Sequence, residues 1–162
     1  GPAGERSRSS AAATRMALSK RGKFWYGDSQ ADIRDELVRV GNLNEYVPTH
    51  FADARCVCCG QTFRLQLAEG TAAVRVCPKS NCAQSHPIGD SDEYLDEAKL
   101  EECACPCGGE EFEITVGVHL YADSEDVKWV YIGCRCVACG LTANYGDWKN
   151  EFQGYQAYLA RV

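Results

Sequence analysis

Two stretches of the chain alternate apolar and polar residues with a period of two. One runs through Phe63, Leu65 and Leu67, the other through Phe112, Ile114 and Val116. That period sends successive side chains to opposite faces of a strand, one towards a core and one towards water. Each stretch ends at a polar turn, Ala68-Glu69-Gly70 in the first case and residues 122–126 in the second. A second apolar run follows each turn: Val74 and Val76 lead into Cys77, and Val130 and Ile132 lead into Cys134 and Cys136. The pattern predicts two β-hairpins.

A different period holds Ile33, Leu37 and Val40, which recur on one face of a helix. Asp28 or Ser29 can cap its N-terminus, Asp32 suits its first turn, and Gly41 is the expected stop. The preceding Phe24-Trp25-Tyr26 is expected to pack beneath it. Gly89-Asp90-Ser91 and Gly146-Asp147-Trp148 repeat the Gly-Asp entry of that helix. They predict one helix over the acidic segment 91–102 and another over 148–162, with Phe152, Tyr155 and Leu159. The expected fold class is α+β: two small antiparallel hairpin units packed with N-terminal, linker and C-terminal helices. The corresponding division is a basic tail, 1–23, too poor in large apolar residues to fold; a helical segment, 24–50; a first unit, 51–90; an acidic helical linker, 91–102; a second unit, 103–147; and a C-terminal helix, 148–162.

Cysteine changes the picture most. There are 11 in 162 residues, an odd number gathered in close pairs and triplets beside Gly or Pro. Neighbours so close bridge each other only with strain, but they can share a metal ion. No apolar leader opens the sequence and no run is long enough to span a bilayer. Reduced thiols then imply a cytoplasmic location.

The cysteine regions also form an internal repeat. Cys56 lies over Cys105, Cys58 over Cys107, Gly60 over Gly109 and Phe63 over Phe112, without a gap. Each copy is a cysteine corner, a strand, a turn, a strand and a second corner. Four thiolates from two such corners make a tetrahedral site. In the second unit the ligands are Cys105, Cys107, Cys136 and Cys139, with Cys103 and Cys134 as alternatives to Cys105 and Cys136. In the first they are Cys56, Cys59, Cys77 and Cys82. Standard two-residue spacing favours Cys59 there, whereas the repeat favours Cys58. His86 is a further candidate that more naturally sits on the surface.

The Cys136-Val-Ala-Cys139-Gly140 and Cys105-Pro-Cys107-Gly108-Gly109 corners, with a hairpin between them, resemble those of the zinc-ribbon superfamily. The resemblance covers residues 56–82 and 105–140. It implies two structural zinc ions. The superfamily serves so many purposes that membership decides little about function.

The chemistry of the sites narrows the classes. Four thiolates leave no open position for water or substrate, and no His-Glu-x-x-His pattern occurs, so an enzyme is not expected. Cys136-x-x-Cys139 lacks the strand-to-helix setting of a redox pair. Residues 1–23 carry six basic side chains against Glu5, and the whole chain is −6, so residues 24–162 carry −11. An acidic body repels phosphate and attracts basic proteins. The expected function is protein binding through an acidic surface, with an inhibitor or immunity-type partner of a basic protein as the specific form. The alternative is a nucleic-acid-associated regulator using the basic tail with Arg64 and Arg75.

Overall fold

Residues 18–58 and 60–162 are described by a computed structural model. They form ten strands: β1 (Ser19–Arg21), β2 (Phe24–Tyr26), β3 (His50–Asp53), β4 (Arg64–Ala68), β5 (Ala72–Val76), β6 (Ser85–Pro87), β7 (Glu101–Glu102), β8 (Phe112–Leu120), β9 (Val127–Cys136) and β10 (Leu141–Phe152). Two α-helices accompany them, α1 (Ala31–Asn44) and α2 (Tyr155–Leu159). One sheet has the order β1-β2-β10-β9-β8-β3, the other β6-β5-β4-β7.

Both predicted hairpins form, and their registers repeat. Leu65 faces Arg75 across β4–β5, and Ile114 faces Cys134 at the matching position of β8–β9. The two copies meet at Phe63 and Phe112. The Phe63 N–H donates to the Phe112 carbonyl and the Phe112 N–H to the Phe63 carbonyl, both at 2.8 Å. Equivalent residues of a repeat can bond reciprocally only around a local two-fold axis.

That axis explains an exchange of strands. β3 leads into the first cysteine corner but pairs with β8 of the second unit, Asp53 opposite Thr115. β7 leads into the second corner but pairs with β4 of the first, Glu102 opposite Gln66. The side chains repeat the relation. Thr115 Oγ1 donates to Asp53 Oδ1 at 2.7 Å, and Gln66 Nε2 donates to Glu102 Oε1 at 2.8 Å. Phe63, Leu65, Phe112 and Ile114 are fully buried in one continuous core that joins the two sheets.

Helix α1 lies on the larger sheet over Gly133, where any side chain would collide with Ile33 and Leu37. Its ends differ from expectation. The Asp32 carboxylate reaches back to the N–H groups of Asp28 (2.7 Å) and Ser29 (3.0 Å), so Asp32 satisfies the entry and neither Asp28 nor Ser29 caps it. The helix runs past Gly41 to Asn44 and stops at Glu45, whose φ of 70° is left-handed. Gly41 is a contact point instead: a Cβ there would lie 2.6 Å from Pro48 Cδ.

The α+β expectation is overturned, because the described chain is mostly β. Segment 91–102 is no helix. It begins as a 3-10 turn, Ser91–Tyr94, and ends as β7, since the backbones of Glu101 and Glu102 are more useful to the open edge of β4 than to a helix with no apolar stripe. Residues 148–152 continue β10, so only Tyr155–Leu159 are helical at the C-terminal end. Gly146-Asp147 lies inside β10, just after a bulge at Tyr145, where the register shifts between Asn144 and Gly146. Phe24-Trp25-Tyr26 is a half-buried strand, and Phe24 and Tyr26 pack on the core. Of the tail expected over 1–23, residues 1–17 lie outside the described residues, while Ser19–Arg21 form β1, paired with Phe24–Tyr26.

The reciprocal pairing makes the units interdependent. Phe63→Ala should cost about 3–5 kcal/mol by emptying a buried site, and denaturant unfolding should remain one transition whether followed by tryptophan fluorescence or by release of bound metal. Two separated transitions would show that the units stand alone.

Candidate metal centres

Each hairpin returns its second corner to its first. Cys56, Cys58, Cys77 and Cys82 place their sulfurs within 4.8 Å of one another, and so do Cys105, Cys107, Cys136 and Cys139. Cys56 and Cys82 are 3.5 Å apart and Cys58 and Cys77 3.7 Å; Cys105 and Cys139 are 3.6 Å apart and Cys107 and Cys136 3.7 Å. These separations are far too long for a disulfide, at about 2.05 Å. They match the edge of a tetrahedron built on zinc–sulfur bonds of about 2.3 Å, which is about 3.8 Å. The donors therefore fit a four-coordinate metal ion.

The backbone shapes both corners of the second site. Gly108 (φ 95°) and Gly140 (φ 83°) are left-handed. The N–H groups that follow, of Gly109 and Leu141, point at Cys107 Sγ and Cys139 Sγ, each at 3.4 Å. An N–H aimed at sulfur favours the thiolate. The Cys56 N–H bonds to the Gly60 carbonyl at 2.9 Å and the Cys105 N–H to the Gly109 carbonyl at 2.8 Å, so the repeat persists in the loop hydrogen bonds.

Protonation shows why a cation belongs there. The Cys58 N–H draws Cys56 down to about 7, and the Gly109 N–H draws Cys107 down to about 7. Their neighbours resist. Burial raises Cys105 to about 12. Cys82 is pulled down by the Gln84 N–H, but the adjoining Cys56 thiol and burial outweigh this and raise it to about 12. The first thiolate in each group forms readily and opposes the rest. All four can ionise together only with a positive charge among them.

The first site has a second source of positive charge. Arg75 is 6% exposed. Its Nε donates to the Val162 carbonyl at 2.7 Å and its Nη2 to the Arg55 carbonyl at 3.1 Å, while the guanidinium lies 4.6 Å from the centre of the Phe63 ring. Burial lowers its pKa, and the nearby Cys56 and Cys77 sulfurs oppose that. Arg75 thus lends charge to one tetrathiolate. The other has Cys134 at the equivalent position, a fully buried thiol raised well above its ordinary value by burial. Sequence reasoning missed this role and put Arg75 on a nucleic-acid surface. The available signal was its place between Val74 and Val76 on a strand that proves to be covered on both faces.

Cys59 lies outside the described residues; the thiol that completes the first group is Cys58, the choice favoured by the repeat. Cys103 and Cys134 are in neither group. Cys103 gives its N–H to the Leu65 carbonyl at 2.9 Å, the exchange bond equivalent to that from Ala54 to Ile114. His86 Nε2 lies 2.6 Å from the Arg161 carbonyl, away from the sulfurs. No helix among the described residues is long and apolar enough to cross a membrane. Comparison with protein-family models, curated proteins and solved structures finds no match.

Metal analysis should give two ions per chain. Cys58→Ser should leave one, while Cys59→Ser should keep both; loss of an ion from Cys59→Ser alone would reverse the ligand assignment. The pH dependence has opposite signs in the two states. Metal-free protein holds Cys82 and Cys105 protonated, so their contribution to stability is present below the ordinary thiol value of 9.0 and is lost as pH rises towards about 12. Loaded protein, whose thiols are already ionised, should melt at a constant temperature through that range. It should release metal instead on acidification, as protons compete with the ion for the sulfurs. A chromogenic chelator and a thermal melt read the two trends.

Proposed function

We propose that the protein is a zinc-stabilised binding module whose acidic surface engages a basic protein, in the manner of an inhibitor or immunity-type partner. The observation that carries this reading is the charge of the body, −11 over residues 24–162, on a scaffold whose two four-thiolate groups have the donor set of closed, structural sites. Such a charge speeds encounter with a cationic partner and discourages acidic ones.

A second reading, association with nucleic acid, draws support from the β1–β2 region. Arg21 lies 3.7 Å from the Tyr26 ring centre, Lys23 5.4 Å from Phe24 and Arg39 5.3 Å from Trp25. Cations interleaved with aromatic rings suit a single strand. Of the two arginines first considered, Arg64 is exposed and Arg75 is buried, which weakens this alternative.

The two readings part on ionic strength and sequence of handling. Partners captured on the immobilised protein and then purified should have a strongly basic isoelectric point, and their association rate should fall steeply between low and physiological salt. Capture of neutral or acidic proteins alone would overturn the first reading. Tight binding of a single-stranded oligonucleotide, abolished by Arg21→Ala with Lys23→Ala, would establish the second.

A further inference from the structure

Three hollows adjoin around the β4–β5 turn, of about 560, 570 and 260 Å³. Gly70 and Trp148 line both of the larger ones, Glu69 and Lys99 are shared by the first and third, and Thr71 and Tyr94 by the second and third. They therefore form one continuous groove between the smaller sheet and β10. Asn144, Tyr145 and Gly146, at the β10 bulge, line the first hollow.

The walls hold polar atoms with nothing to bond. Trp148 is 6% exposed and Asn150 8% exposed. They stand at alternate positions of β10 and so on one face of it. Trp148 Nε1, Asn150 Oδ1 and Asn144 Oδ1 are buried without a hydrogen-bond partner among the described residues. The amide orientations are fixed by their other ends. Asn150 Nδ2 donates to the two oxygens of Asp90 at 3.0 and 3.2 Å, and Asn144 Nδ2 donates to Asp147 Oδ2 at 2.7 Å. Each amide thus leaves an acceptor spare, and the indole leaves a donor. Buried polar groups are seldom left so, because desolvation then goes uncompensated.

The rim is acidic. Glu69, Glu97, Glu101, Glu102, Asp147 and Glu151 face Lys99 and Lys149. Lys149 is engaged by Glu151 at 3.7 Å, whereas Glu69, Glu97 and Glu101 are exposed and make no ion pair among the described residues. Tyr94, 45% exposed, offers a ring at the groove edge.

A peptide group carries both a donor and an acceptor, which are what Asn150 Oδ1 and Trp148 Nε1 lack. A guanidinium carries a planar fork of donors that suits an amide oxygen beside carboxylates and stacks on an aromatic face. We propose that the groove binds an extended, arginine-bearing segment of a basic protein partner, its peptide groups meeting Trp148 and Asn150 and an arginine side chain entering beside Asn144 and Glu101. The proposal rests on the reading of a basic partner and assigns that reading a place on the molecule.

The test is a titration of the full-length, metal-loaded protein with hexa-arginine, followed by nitrogen–proton NMR. The indole N–H of Trp148 and the side-chain amides of Asn144 and Asn150 should shift, while the indole of Trp25 on β2 stays in place. Glu69→Gln with Glu101→Gln should weaken binding about tenfold. Glu110→Gln with Glu111→Gln, which removes equal charge from the second cysteine corner, should leave it unchanged. Hexa-lysine should bind more weakly than hexa-arginine. Equal weakening by the two double variants, or shifts spread over every acidic face, would overturn the groove in favour of a general field. If a purified basic partner binds Glu69→Gln/Glu101→Gln with full affinity, the groove falls and the basic-partner reading stands; if no basic ligand binds at all, both fall. Lack of any peptide response, with Trp148 shifting instead when Arg6, Arg8 and Arg15 are changed to Gln, would assign the groove to the chain's own basic tail and overturn the intermolecular proposal.

Discussion

Four sulfurs held within 4.8 Å of one another in each site cannot all carry charge without a cation between them. Much of the molecule follows from meeting that condition twice. The hairpins are the means of returning one corner to the other. Positive-φ glycines at 108 and 140 free backbone N–H groups to face sulfur. Burial of Cys56, Cys77, Cys105 and Cys136 seals the sites into the core, where a bound ion would contribute directly to folding.

The local two-fold turns two small ribbons into one body. Hairpins of this length bury little alone, and each leaves an edge open beside its first strand. Exchange covers both edges with the lead-in strand of the other copy, and the Phe63–Phe112 pair closes the ladder at the axis. The two copies differ around that axis. The first has a short third strand, β6, and a buried arginine near its thiolates; the second extends into β10, carries α1 on its sheet and buries a neutral thiol at the matching position.

That divergence creates the features available for function. The long β10 reaches past its own unit and bulges against the smaller sheet, leaving a groove bordered by carboxylates and by unpartnered amide and indole atoms. Arg21 and Lys23 lie at the β1–β2 edge of the larger sheet, against the Tyr26 and Phe24 rings.

The sequence by itself determined the cysteine corners, the two hairpins and their common register. Each rests on contacts within a few residues: alternation in Phe63–Leu65–Leu67 and Phe112–Ile114–Val116, turn residues between strands, and Gly beside Cys. Between Cys58 and Cys59 it pointed both ways: two-residue spacing favoured Cys59, the thiol in the expected set, while the repeat aligned Cys58 with Cys107, and Cys58 is the one in the described group. Only tertiary structure decided where 101–102 and 148–152 belong. Glu101, Glu102 and the end of β10 have weak local preferences, and the open backbone of a distant strand outweighs them. The same holds for Arg75. Alternation alone assigns it to one face of β5, but whether that face meets water depends on Val162 and Arg55, which lie 87 and 20 residues away and accept its hydrogen bonds. Pairings that remote leave no periodic trace, so they become visible only when the chain is folded.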